Sequence, residues 1–216
     1  MFTSECRDRH TPRRIVLTGG PGAGKTATLE MIKGLFCEHV RILPEAAGML
    51  FAGGFPRTGA PVARAAAQRA IYFVQRELEE IAAADAPAII LCDRGTVDGL
   101  AYWPGPGDFW QSVGTTREQE FGRYDMVIHL RTPAAAGGYN QQNPLRTESA
   151  IEAAAIDRRI EDAWAGHPHR VIVNNSSDFL EKASRAVDLI HDELPDCCRH
   201  HPAATSRVRA GVAANH

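Results

Sequence analysis

The sequence predicts an α/β protein with three layers, a parallel β-sheet covered by helices on both faces. Three observations predict it. Short apolar runs rich in Val and Ile alternate with longer segments of helical periodicity, and the connections are short. One run, residues 88–92 (AIILC), is wholly apolar, as suits a central strand buried on both sides. Residues 13–29 read as strand, glycine-rich turn and helix in immediate succession. The 216 residues fit one domain. Residues 1–12 read as a flexible leader, 13–193 as the nucleotide-binding domain and 194–216 as a disordered tail of small and polar residues.

In order, the first strand is expected over 13–18 and the helix after the glycine turn over about 25–37. A second strand spans 40–43 and closes at Pro44-Glu45. The Gly/Pro-rich stretch 48–61 reads as a loop or broken helix. Pro61 then opens a long helix to about Ala84, with Ala67, Ile71, Val74, Leu78 and Ile81 spaced to form its buried face. The apolar third strand ends in Asp93. WPGPGDFW (103–110) is irregular, and Met126 to Leu130 form the next strand. A helix capped by Thr147 or Ser149 runs over about 147–165, a last strand covers 171–173, and a last helix covers 177–193.

The turn GGPGAGKT matches G-x-x-x-x-G-K-[ST], with Gly19, Gly24, Lys25 and Thr26 in the fixed places. Glycines let successive N–H groups point at a phosphate, and the helix N-terminus that follows adds its partial positive charge. The nucleotide contacts are therefore assigned to Gly19, Gly20, Pro21, Gly22, Ala23, Gly24, Lys25, Thr26 and Thr28. Lys25 would bridge the outer phosphates, and the Thr26 hydroxyl would ligate Mg²⁺. The pattern predicts a site for ATP or GTP.

In such a sheet ligands sit at the carboxyl ends of the strands, and the chemistry is expected there. Asp93 closes an apolar strand in the Walker-B manner and is the second expected Mg²⁺ ligand. Arg94 beside it suits a phosphate clamp. Glu45, after the second strand, would take the proton of an attacking hydroxyl, against the alternative of an ion pair with Arg94. Residues 131–146 are long and glycine-containing, and they read as a lid bracketed by Arg131 and Arg146. Gln68, Arg69 and Tyr72 on the long helix are candidates for facing the acceptor.

Composition narrows the function classes. A formal charge of −2 leaves no basic footprint for nucleic acid. The first residues lack the apolar core of a secretory signal, and no apolar run is long enough to span a membrane. Five cysteines (Cys6, Cys37, Cys92, Cys197 and Cys198), odd in number and without C-x-x-C, suit reduced thiols in the cytoplasm. Vicinal Cys197-Cys198 near His200-His201 matches no zinc spacing and reads as part of the tail. There is no G-x-S-x-G, no H-E-x-x-H, and no GTPase D-x-x-G after the third strand. Arg94 stands where ring-forming motor ATPases carry a glutamate.

GGPGAGKT, Pro44-Glu45-Ala46, Gln68-Arg69-Ala70, CDRGTVDGLAYWPG (92–105) and Leu145-Arg146-Thr147-Glu148 occur in this order. Together they resemble the AAA-labelled P-loop family related to the nicotinamide riboside kinase domain, over about residues 13–193. The resemblance implies a P-loop NTPase fold of nucleoside-kinase build. It also implies that Glu45 receives an acceptor proton and that Asp93-Arg94 holds metal and phosphate. The expectation is a kinase that passes the γ-phosphoryl group of ATP to a small-molecule hydroxyl, with Arg94 and Arg131 or Arg146 steadying the transferred group. The alternative is a regulatory ATP- or GTP-binding protein that hydrolyses slowly and recruits a protein or lipid. A homodimer is compatible with either.

Overall fold

The computed structural model describes residues 9–105, 107–133, 149–175 and 178–199. Its centre is a five-stranded, all-parallel sheet of β1 (Arg13–Thr18), β2 (Val40–Leu43), β3 (Ile89–Asp93), β4 (Met126–Leu130) and β5 (Arg170–Val173), in the order β2-β3-β1-β4-β5. Strand alternation separates two cores. Ile15, Leu17, Ile89, Leu91, Ile128 and Leu130 point to one face, against Leu29 and Ile32 of α1 (Lys25–Lys33) and further apolar residues near the C-terminus. Val16, Ile90, Cys92 and Val127 point to the other, where they meet Tyr124, Ile156, Ile160 and Trp164. This is the three-layer architecture expected.

α1 is shorter than expected, because Gly34 caps it by donating its N–H to Met31. The stretch read as loop or broken helix contains α2 (Ala46–Ala52), which ends where Gly53 and Gly54 interrupt it. α3 (Pro61–Ala84) has the expected bounds, with Pro at its start, but a different buried face. Ala67, Gln68, Tyr72, Gln75, Glu79 and Ala82 are buried, whereas Ile81 is 68 % exposed. The hydrophobic repeat fails here because α3 packs through hydrogen bonds. Glu79 accepts from Gln75 and Tyr124, and Tyr72 donates to Glu120.

After β3 come a 3₁₀ turn (Thr96–Asp98), α4 (Gly99–Tyr102), α5 (Phe109–Val113) and α6 (Arg117–Phe121). α7 (Ala150–Ala163) is capped by Ser149 rather than Thr147. The Ser149 hydroxyl accepts from the Glu152 N–H, and the Glu152 carboxylate accepts from the Ser149 N–H. α8 (Phe179–Asp192) is capped by Asp178. The expected disordered tail is corrected at its start. Residues 196–199 form a further helical turn, α9 (Asp196–Arg199), and Cys198 is buried in the first core. No described helix is long and apolar enough to cross a membrane.

Candidate active site

The glycine turn leaves β1 at the carboxyl end of the sheet and cannot accept side chains at two points. A Cβ on Gly19, at φ 136°, would stand 2.1 Å from the Leu130 carbonyl. One on Gly20 would stand 2.5 Å from the Thr132 hydroxyl. The turn is braced from behind by two groups. Asp157 of α7 accepts from the Gly20 N–H at 2.7 Å, from the Thr132 hydroxyl and from His129. Lys182 of α8 donates to the carbonyls of Ala23 and Arg131 and to Asn175. Burial lowers Lys182 to about 8, and Asp157 works against that shift. Burial alone would raise Asp157. Its hydrogen bonds to His129 and the Gly20 N–H override this and hold it below the ordinary carboxylate value.

In front of the turn lies a cleft of about 220 Å³. Pro21, Gly22, Lys25 and Thr26 form its phosphate-loop side, and Glu45, Asp93, Arg94 and Asp98 sit at the strand ends. Phe51, Arg57, Gln68, Ile71, Gln75 and Tyr102 form the far wall. Lys25 is buried and donates to the carbonyls of Gly19 (2.8 Å) and Gly20 (3.1 Å). Desolvation, with Arg94 adding repulsion, lowers it to about 8.

Arg94 is the pivot of the cleft. Its backbone is left-handed (φ 71°), a conformation costing a non-glycine residue about 1 kcal/mol. The side chain donates to Glu45 at 2.6 Å and to the Gly19 carbonyl at 3.2 Å, and lies over the Tyr102 ring. Burial opposes its charge, but Tyr102, Glu45, Asp98 and Asp93 together raise its pKa. Burial likewise works to raise Glu45, and Arg94 and Lys25 prevail, holding it below the ordinary carboxylate value. The ion-pair alternative for Glu45 is thus present, inside the cleft.

Asp93 has the opposite balance. Burial raises it to about 6, and its Oδ1 is buried without a hydrogen-bond partner. An orphaned carboxylate oxygen in the same cleft as the exposed Thr26 hydroxyl is a fitting pair of oxygen ligands for Mg²⁺. Asp98 beneath is saturated instead. It accepts from the Thr18 hydroxyl (2.5 Å), the Gly95 N–H and the Trp164 indole.

Several assigned residues lie elsewhere. Thr28 is fully buried, and its hydroxyl donates to the Gly24 carbonyl, so that side chain does not line the cleft. Ala23 is buried too, its carbonyl held by Lys182. Arg131 pairs through both guanidinium nitrogens with Glu161 of α7 and is absent from the cleft lining. Arg146 and most of the expected lid lie outside the described residues. Gln68 reaches the cleft, but Arg69 does not, and Tyr72 is turned to Glu120. Sequence reasoning missed Asp157 and Lys182 as supports of the loop. Each had a signal, a charged residue inside an apolar stripe: 153, 156, 157, 160, 163 on α7 and 182, 183, 186, 190 on α8.

The fold is similar to that of a thymidylate kinase from Candida albicans, with TM-score 0.58, 13 % identity, and cover of 85 % of this chain and 92 % of that one. It is also similar to the NadR protein in complex with NR, with TM-score 0.65, 14 % identity, and cover of 86 % of this chain and 52 % of that one. The chain therefore spans about half the length of the NadR chain it matches. At these identities the likeness is one of fold. No curated protein matches the sequence. Residues 14–182 match the family model described as AAA domain. With its phosphate loop and parallel sheet, the chain belongs to that AAA domain family.

Proposed function

We propose that the protein transfers the terminal phosphoryl group of a nucleoside triphosphate, ATP or GTP, to a hydroxyl of a small-molecule acceptor. The observation that carries this reading is the position of Glu45. Its carboxylate is fixed by Arg94 in the cleft that Lys25 and Thr26 border, with further space toward α3 and α4. Phosphoryl transfer proceeds through a loose transition state, so catalysis is mainly positioning and charge stabilisation. Glu45, ionised across the neutral range, accepts the acceptor's O–H hydrogen bond and receives its proton as the acceptor oxygen bonds to the γ-phosphorus and the bond from that phosphorus to the bridging oxygen breaks, releasing the nucleoside diphosphate. Lys25 meets the outer phosphate oxygens. Arg94 holds Glu45 and adds positive charge beside the transferred group. Thr26 and Asp93 would hold Mg²⁺, which offsets charge on the phosphate oxygens when bound. Gln68, Gln75, Phe51 and Arg57 are the proposed acceptor wall. The fold's likeness to a thymidylate kinase supports phosphoryl transfer as the reaction, and the choice of a hydroxyl as acceptor rests on Glu45.

The test is nucleotide consumption with ATP and with GTP, alone and against nucleosides, sugars, amino alcohols and hydroxyl-bearing antibiotics. One acceptor class is expected to stimulate turnover. Glu45→Gln should then lower stimulated turnover by roughly 100-fold while leaving nucleotide affinity within about two-fold. Stimulated turnover that survives Glu45→Gln would remove that residue from the chemistry. Slow hydrolysis indifferent to every acceptor is the behaviour of the regulatory alternative.

A further inference from the structure

At the opposite pole of the sheet, where the strands begin, three distant parts of the chain converge. His10 precedes β1, His39 precedes β2, and Cys198 lies in α9. One ligand atom from each lies within 4.8 Å of the other two. The Cys198 sulfur is 3.4 Å from His39 Nδ1 and 3.8 Å from His10 Nε2. The Cys197 sulfur is 3.8 Å from that of Cys198 and 3.9 Å from His10 Nε2. A fifth candidate, Cys37, interacts with the Cys198 thiol.

We propose that this cluster binds a structural zinc ion, with His10, His39, Cys198 and Cys197 as its ligands. Four of the separations, 3.4, 3.8, 3.8 and 3.9 Å, lie close to the edges of a coordination tetrahedron, and His10, His39 and Cys198 form the mutually close core to which Cys197 adds the fourth donor. Bonds of about 2.3 Å to sulfur and 2.0–2.1 Å to nitrogen place neighbouring ligand atoms about 3.4–3.8 Å apart. Ordinary hydrogen bonding accounts for the convergence poorly. A single S–H proton on Cys198 faces two ring nitrogens and two other thiols, and two of the measured sulfur–nitrogen separations are long for such bonds. The donor set of two imidazoles and two thiols suits Zn²⁺, with each thiol releasing its proton on binding.

The frame is also held in place. The His10 N–H donates to the Ala86 carbonyl, and the His39 carbonyl accepts from Ala88 and Ile89. Arg199 fastens α9 to the carbonyls of Asp192 and Leu194. His200 and His201, the histidines nearest the vicinal cysteines in sequence, are not needed. The ligands come from the chain's other end and from the α1–β2 connection, so no local spacing rule could reveal them. The ion would tie the segment before β1 and the segment after α8 to one point, remote from the cleft.

The experiment uses the untagged full-length chain, purified reduced and without chelator, with metal content measured by mass spectrometry. One zinc per chain is expected. Replacement by Co²⁺ should give thiolate-to-cobalt charge-transfer absorption and tetrahedral d–d bands. His39→Ala should weaken zinc binding by more than the roughly 10–100-fold typical of losing an outer-shell partner. Cys198→Ser should weaken the sulfur-to-cobalt band, and replacing Cys197 by Ser as well should abolish it. Cys92→Ser and Asp93→Asn should retain the ion, which separates this site from the cleft. Because Cys198 is buried and its replacement could unfold the chain, His39→Ala is read beside circular dichroism. Chelation of the wild type should also lower its Tm, with recovery on adding zinc. A folded chain without stoichiometric zinc, cobalt binding without the thiolate band, or retention unchanged in His39→Ala would each overturn the proposal.

Discussion

Two clusters of buried charge meet at α3, and they are built on opposite terms. In the rear cluster, Glu120 accepts from Tyr72, Thr96, Thr115, Arg76 and Arg123, and Glu79 accepts from Gln75, Tyr124 and Arg123. Burial alone would raise Glu120, but its bonds to Thr96 and Tyr72 and the nearby Arg123 hold it below the ordinary value. In the cleft, Asp93 is raised to about 6 with one oxygen unpartnered, and Lys25 is lowered to about 8. Both clusters are desolvated, so burial does not distinguish them. The difference is completion. Carboxylates saturated by the protein hold the fold, whereas charges left incomplete are positioned for a ligand.

The comparison can be tested from its largest consequence downward. Lys25→Ala should lower nucleotide turnover by about 1,000-fold or more, since one transition-state charge contact supplies several kcal/mol. The same substitution should leave Tm unchanged or raised, because it removes a buried ammonium. A large loss of Tm would show that Lys25 holds the fold, and the distinction would collapse. Glu79→Ala should do the reverse. Taking one of its two carboxylate partners from Arg123, and the acceptor from Gln75 and Tyr124, should lower stability by about 3–5 kcal/mol in denaturant titrations. The fraction still folded should bind nucleotide within about two-fold of wild type.

Asp93→Asn sharpens the contrast through its pH dependence. The folded-state pKa of Asp93 is raised from 3.8 to about 6, so its favourable contribution is complete below about pH 4 and is lost as pH rises through 6. In metal-free buffer at pH 7 the variant should therefore be the more stable by up to roughly 3 kcal/mol, at 1.36 kcal/mol per unit. Its advantage should vanish by about pH 4. Added Mg²⁺ should restore the wild type and not the variant. Equal stability of the two proteins at pH 7 would show that the unpartnered carboxylate carries no strain of desolvation.

This contrast also explains what the sequence could reveal. Lys25, Thr26, Glu45, Asp93 and Arg94 were legible because each lies in a local pattern or at a strand end, and the sheet brings strand ends together. The rear cluster was not. Its carboxylates are buried by partners that arrive from 3₁₀ turn, α6 and beyond, and an apolar repeat read on α3 alone selects 67, 71, 74, 78 and 81 instead. Arg131 obeyed the strand-end rule but met Glu161, a partner more than two dozen residues later. For α9, tail-like composition concealed a buried Cys198.

Gln75 belongs to both clusters, lining the cleft while donating to Glu79. For anyone redesigning the selectivity of the proposed kinase, this makes the two walls unequal building materials. The α3 wall is anchored in the rear cluster, so enlarging it would trade directly against folding. The wall formed by Phe51 and Arg57 stands on a short helix and the glycine-interrupted segment after it, where Arg57 lies over the Phe51 ring at 5.1 Å and its charge helps to hold Glu45 ionised. Libraries aimed at new acceptors should therefore begin with Phe51, keep a positive charge at Arg57 beside Glu45, and leave Gln75 in place.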